Sequence, residues 1–412
     1  MKITCVLVCI LLPACARPQP SMATTASSSG MDDGRVQALL SSRPEDFAAV
    51  LEHAQDLRAQ ILWSEVCVRP DGTKFLARHG WRVDAEYFYP ASSIKLLAAL
   101  ATCEVLDEIA RSSGRALDLD TPLIIEPLFD GDPRLEDDSS HVAGGKLTLG
   151  HEIRKLFLIS DNTAFNRLYD FLGRDQLNQR AWDAGLSSVR LSHRLSLART
   201  SDENQRTPAT WLMPPGEEPL GFAARSATLE LKPAEISGLL VGRAQYRNDV
   251  LVEEPLDCTH RNRASLLDLQ DALVALVRPE LAAPGSGYQV SASVRAFLLE
   301  AMSTYPADSR DPIYDRAKYP DDWVKFLLPG LLRVIPREDL TVCNKVGLAY
   351  GFTIENAYVE DRRTGRAFFL TATLYTNSDG ILNDDRYDYD SIALPFYAAL
   401  GEALANESLK RD

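Results

Sequence analysis

The chain has 412 residues, 45% hydrophobic and 25% charged, which is enough to bury a substantial core in one large domain or two sub-domains. Its 44 Lys and Arg stand against 58 Asp and Glu, a formal net charge of -14 with no long basic run. That balance excludes a nucleic-acid binder, which needs clustered cations to release the counterions of phosphate.

Residues 1–15, MKITCVLVCILLPAC, carry one lysine and an apolar run that closes on small residues, too short to span a bilayer. The pattern predicts an export signal. Leu12-Pro13-Ala14-Cys15 resembles a bacterial lipobox, which would remove residues 1–14 and make Cys15 the lipidated first residue of a periplasmic or outer-membrane lipoprotein. Its contact with the membrane is then through that anchor alone. Ala14-Cys15-Ala16 also fits an ordinary cleavage site, giving a soluble periplasmic or secreted product. From Cys15 to residue 33 the chain is rich in Ser, Thr, Ala and Pro and reads as a flexible tether, with the folded domain over 34–412. Of the seven cysteines, Cys67, Cys103, Cys258 and Cys343 fall in the folded part. None has a metal-ligand spacing, and they are read either as one disulfide pair with two thiols or as buried free thiols.

The spacing of apolar residues predicts a helix over 45–61, then strands over 62–68 and 74–77 joined by a turn at Asp71-Gly72. Tyr87-Phe88-Tyr89-Pro90 leads into a helix that is apolar on nearly every side from Leu96 to Leu106, and so central and buried. Residues 118–146 are acidic, with Asp130, Asp132, Glu136, Asp137 and Asp138, but lack the spacing of a calcium loop, and no metal is expected there. Helices follow over 147–159 and 163–172, the second stopping at Gly173. Residues 201–263, with Pro208, Pro214, Pro215, Pro219 and Pro233 among scattered charges, read as an insertion folded onto the domain. Helical patterns return over 266–277 and 293–302, strands over 341–346, 354–360 and 367–375, and a closing helix over 392–404. The expected fold is α/β, of the α+β kind. An antiparallel sheet from both ends of the chain is flanked by helices, with an all-helical part from the middle and a cleft between the two.

Three short motifs carry the chemistry: Ser92-Ser93-Ile94-Lys95, Ser160-Asp161-Asn162 and Lys345-Val346-Gly347. Three residues apart at a helix start, Ser92 and Lys95 share one face, which sets an amine beside a hydroxyl. A serine hydroxyl is a poor nucleophile until a base takes its proton, and a buried lysine beside a second cation, here Lys345, can serve as that base. Taken singly, Ser92 reads as a helix cap, Asn162 and Asn166 as caps or core polar groups, and Lys345 as an edge-strand charge; the ordered triplet favours an acyl-transfer site.

In motif order and context the chain resembles the serine β-lactamase and penicillin-binding-protein superfamily, most closely the class A β-lactamases. The resemblance implies Ser92 as acylated nucleophile, Lys95 as its proton acceptor, and Ser160 as proton relay to the leaving nitrogen. It further implies that Lys345 keeps the field positive and orients Ser160, and that Asn162 holds the substrate's amide side chain. Gly347 and Leu348 border the substrate, the Leu348 and Ser92 N–H groups forming the oxyanion hole. Asp161 caps the following helix, and Asn166 braces the neighbouring loop. No metal or organic cofactor is implied. The implied activity is that of an exported hydrolase opening a β-lactam, another amide or an ester of a small or peptidoglycan-derived molecule.

Two departures keep alternatives open. Class A enzymes deacylate with a glutamate in the loop beyond the second motif, whereas Val189–Ser196 here has no carboxylate; Asp202 and Glu203 follow shortly after. Val346 replaces a hydroxyl residue that helps bind a substrate carboxylate. The first departure favours a peptidoglycan D,D-peptidase. Both together allow a decayed site on a cell-envelope binding lipoprotein. His193 reads as structural, and Cys343 as packing on its strand.

Overall fold

A computed structural model describes residues 31–410. The export signal, the cleavage site, Cys15 and nearly all of the tether lie outside the described residues.

The central sheet has five antiparallel strands, β1 (Gln60–Val68), β2 (Lys74–Trp81), β3 (Leu340–Ala349), β4 (Phe352–Asp361) and β5 (Arg366–Tyr375), in the spatial order β3-β4-β5-β1-β2. Both ends of the chain therefore build it, as expected. Successive side chains point to opposite faces, so Val359, Phe368 and Leu370 enter one core while Ile354, Tyr358 and Phe369 enter the other. With both faces covered, these strands are nearly continuous apolar runs, which made them legible in the sequence.

One face is covered by α1 (Arg35–Ser41), α2 (Pro44–Glu52) and α8 (Leu394–Ser408). Against the other lie α3 (Lys95–Ser113), α4 (Leu149–Leu158), α5 (Asn162–Asp183), α6 (Leu266–Val277) and α7 (Ala292–Ser303). Helix α3 is buried without a break from Lys95 to Leu106, so its leucines are each worth about 2–5 kcal/mol over alanine. It ends at Gly114, whose φ of 66° is a left-handed cap.

The elements differ from expectation in three places. The helix predicted over 45–61 stops at Glu52, and Gln60 and Ile61 already belong to β1, because Ile61, Trp63 and their neighbours gain more from the core than from helix continuation. The helix after the second motif does not end at Gly173. That residue (φ 75°, ψ 160°) kinks the chain, and α5 resumes to Asp183; a Cβ there would lie 2.6 Å from Thr207 Oγ1, so glycine is required by space as well as by angle. Residues 201–263 hold a one-turn helix and strands of two to four residues, from Arg206–Thr207 to Leu256–Asp257. Bonds such as Tyr87 N–H to Ser237 O (2.8 Å) and Arg225 to Phe171 O (3.1 Å) fasten this segment to the rest.

Cys103, Cys258 and Cys343 are buried thiols, and no disulfide joins two of the described cysteines. No described helix is long and apolar enough to cross a membrane.

Candidate active site

Three pieces of backbone meet at the site. Residues 91–94 form a single 3₁₀ turn that runs into α3, which sets Lys95 at the first position of a buried helix. The turn is locked by Ser93, whose N–H and hydroxyl both donate to Pro90 O (3.0 and 2.7 Å). Strand β3, the sheet edge, lies directly against this turn: a Cβ on Gly347 would stand 2.6 Å from Pro90 O and 3.1 Å from Ser93 N. Gly347→Ala is therefore expected to push β3 off the nucleophile turn and lower the acylation rate about 100-fold, the cost of a misplacement near 1 Å. Stopped-flow acylation beside a thermal melt checks this, since the loss in rate should exceed any loss explained by unfolding.

Ser160-Asp161-Asn162 links α4 to α5. Asp161 Oδ1 accepts from Ala164 N–H (2.8 Å), capping α5 as expected. Ser160 has a φ of 59°, and its carbonyl accepts from Lys95 Nζ in a short hydrogen bond. Lys95 Nζ also donates to Asn162 Oδ1 (2.6 Å) and reaches Ser160 Oγ (3.3 Å). From the opposite wall, Lys345 Nζ donates to Ser160 Oγ (2.8 Å) and to Val346 O (2.9 Å). Both ammonium groups thus converge on the Ser160 hydroxyl. The Ser92 hydroxyl makes no hydrogen bond among the described residues; its residue borders the same cavity as Ser160 and Asn162.

Burial is the main electrostatic force here. Lys95 is held well below the ordinary lysine value of 10.5, first by burial and then by the Lys345 charge, with Asp161 opposing. Lys345 is pushed down to about 7, chiefly by burial; Glu355 opposes the shift and Lys325 adds to it. A neutral amine beside a hydroxyl is thereby available near neutral pH.

The cavity measures about 1020 Å³ and has aromatic walls including Tyr89, Trp323 and Tyr350, with Val346 and Leu348 on the β3 side. Leu348 is 43% exposed there. Exposed carboxylates of Asp322, Asp385 and Asp390 also border it. Six of the eleven described non-glycine residues with positive φ line this cavity: Ala91, Ser160, Ser196, Tyr350, Asn383 and Asp385. Such conformations cost of order 1–3 kcal/mol each and gather where function requires them, which marks the cavity independently of the motifs.

The loop beyond the second motif is clamped by Asn166, whose Oδ1 accepts from Leu195 N–H and whose Nδ2 donates to Leu195 O, both at 2.9 Å. The residue so positioned is apolar, 6% exposed and turned to the cavity. Asn162 Nδ2 donates to Ser196 Oγ (2.8 Å), so both ends of the Asn162 amide are already engaged by protein. Asp202 and Glu203 do not replace the missing carboxylate. Glu203 closes a capping box with Thr200, whose N–H lowers its pKa, and neither residue borders the cavity. His193 is half-buried, stacked beside Tyr89 and pushed down to about 4 chiefly by desolvation, so it is neutral and structural.

Sequence reasoning missed the support behind the second motif. Asp138, read only as one acid of the 118–146 segment, is buried and accepts from Lys155 Nζ (2.7 Å) and Arg167 (2.6 Å), while Arg167 also binds Glu152 (2.8 Å). The apolar spacing of α4 put Lys155 and Glu152 on a buried face, a signal that could have called for a partner.

Residues 82–213, which hold the first two motifs, match the sequence profile of the Beta-lactamase enzyme family. That stretch is β-lactamase-like. An antiparallel sheet flanked by helices, with a helical middle part, is the architecture that the resemblance implied. Solved structures similar to the chain include a β-lactamase from Desulfarculus baarsii (17% identity over 89% of this chain and 97% of that one, TM-score 0.48). Another is a β-lactamase from Burkholderia ambifaria (14%, 89% and 98%, TM-score 0.49), and a third is from Xanthomonas campestris (17%, 90% and 96%, TM-score 0.47). No curated protein matches the chain.

Proposed function

We propose that the chain is a serine hydrolase of the β-lactamase type that opens an amide, β-lactam or ester through an acyl-Ser92 intermediate. The observation that carries this reading is the meeting of the Lys95 and Lys345 amines on the Ser160 hydroxyl, at a cavity bordered by Ser92.

In the proposed reaction neutral Lys95 takes the Ser92 proton as Oγ attacks the substrate carbonyl. The developing oxyanion is held by the backbone N–H groups of Ser92 and Leu348. Ser160, oriented by Lys345, passes a proton to the departing nitrogen or oxygen, and the carbon–heteroatom bond breaks to leave the ester on Ser92. Hydrolysis of that ester needs an activated water, and Leu195 offers no base where the loop is clamped toward the cavity. That observation supports a second reading, a D,D-peptidase-like acyl-transfer enzyme with a long-lived adduct. The carboxylates at the cavity border and the apolar Val346 weigh against strong capture of an anionic substrate end and favour neutral or cationic substrates.

The test is to incubate the mature chain with a penicillin, a cephalosporin and a neutral activated ester and to follow intact mass over time. A stoichiometric adduct with at least one of them is expected. A short-lived adduct with accumulating product supports hydrolysis, and a persistent one supports acyl transfer; absence of any adduct with all three would overturn the proposal in favour of a binding protein.

A further inference from the structure

A second polar cluster lies where the acidic segment, the start of α4 and residue 311 meet. His141 Nε2 stands 3.4 Å from Asp311 Oδ2, and His151 Nδ1 stands 3.4 Å from Asp311 Oδ1. All three ligand atoms lie within 4.8 Å of one another. The His151 side chain is fully buried and that of His141 is 10% exposed.

The outer nitrogens determine what the inner ones present. His141 Nδ1 faces Lys146 O at 2.7 Å, so it carries the proton and donates, which leaves a lone pair on Nε2. Ser140 Oγ donates its one proton to Asp138 Oδ1 (2.6 Å); it must therefore accept from His151 Nε2–H at 2.9 Å, leaving a lone pair on His151 Nδ1. That Nδ1 is buried without a hydrogen-bond partner among the described residues. The Asp311 carboxylate is aimed by the N–H groups of Val142 (2.9 Å) and Ala143 (3.2 Å). With both imidazoles neutral, three acceptors thus face one another. Two neutral imidazoles and a carboxylate, each held from behind by a second partner, are the donor set and outer shell of a divalent transition metal.

We propose that His141, His151 and Asp311 bind one divalent transition-metal ion, of which zinc is the representative. A cavity of about 660 Å³ bordered by His141 and Asp311 leaves room for a water as fourth ligand. The ion links α4, which leads into Ser160, to the segment running from Asp311 toward Pro320 and Trp323 in the catalytic cavity wall. No step of acyl transfer runs through it, and the proposal stands apart from the hydrolase reading.

Tag-free full chain, stripped with a chelator and titrated with zinc chloride by calorimetry, should take up one ion per chain and gain thermal stability. His151→Ala and Asp311→Asn should lose that uptake, Ser140→Ala should weaken it about 10–100-fold, and Asp130→Asn in the same acidic segment should leave it intact. Should the ligand variants fail to fold, cobalt-loaded wild-type chain supplies a separate reading: visible bands of a low-coordinate site and X-ray absorption showing two imidazoles. No stoichiometric uptake, uptake unchanged in a folded His151→Ala chain, or a cobalt site without two imidazoles would each overturn the proposal.

Discussion

Replacing Lys95 by arginine lowers the rate of Ser92 acylation by roughly 10²–10⁴-fold, the contribution of a positioned general base. Arginine keeps the positive charge and can still donate toward Asn162 and the Ser160 carbonyl, but it does not lose its proton in a protein. The substitution therefore separates charge from basicity. The wild-type pH profile tests the same point. Burial and Lys345 hold the Lys95 pKa far below 10.5, and the base works only when neutral. Acylation should rise with pH as one proton leaves, level off well below pH 10.5 and fall away toward acid. A Lys95→Arg variant acylating within threefold of wild type would contradict the role, as would a wild-type rate that climbs only near pH 10.5.

Leu195→Glu is expected to shorten the life of the acyl-enzyme by about 10²-fold or more, within the range that general-base catalysis supplies. Asn166 already holds the residue 195 backbone from both sides, and the side chain borders the cavity, so a carboxylate there would face the acylated serine with little rearrangement. The acid exchanges a 6%-exposed leucine for a group that demands solvation, so some stability will be lost and the carboxyl pKa will rise, which suits a base working near neutrality. Deacylation is read by the decay of the adduct mass after excess substrate is removed. An adduct as durable in Leu195→Glu as in wild type, with the variant folded, would show that something other than the missing base limits turnover.

The motifs were legible because their spacing encodes geometry. A spacing of three at a helical start puts Ser92 on the turn that runs into Lys95 at the first position of α3, and a short acid before a helix caps it, as Asp161 does. The sheet was legible because both of its faces are buried. Other features were hidden for physical reasons. Gly173 reads as a helix stop, yet its angles permit a kink after which the helix continues. The strands between residues 206 and 257 are too short to show alternation, and two of them also pair with distant segments, Thr210–Leu212 with Leu123–Ile125 and Ala244–Arg247 with Ile381–Leu382. Asp138 lies among other acids in sequence, and its burial is matched by Lys155 and Arg167, which arrive from two helices. His141, His151 and Asp311 form no local pattern at all, since topology alone brings residue 311 to the histidines.

The account rests on the Ser92 oxygen as the atom that carries the acyl group. Peptide mapping by tandem mass spectrometry of chain quenched during turnover should place the added mass on the peptide containing Ser92, and Ser92→Ala should carry none under the same conditions. Acyl mass on Ser160, Ser196 or any other residue of wild type, or undiminished labelling of folded Ser92→Ala, would contradict it.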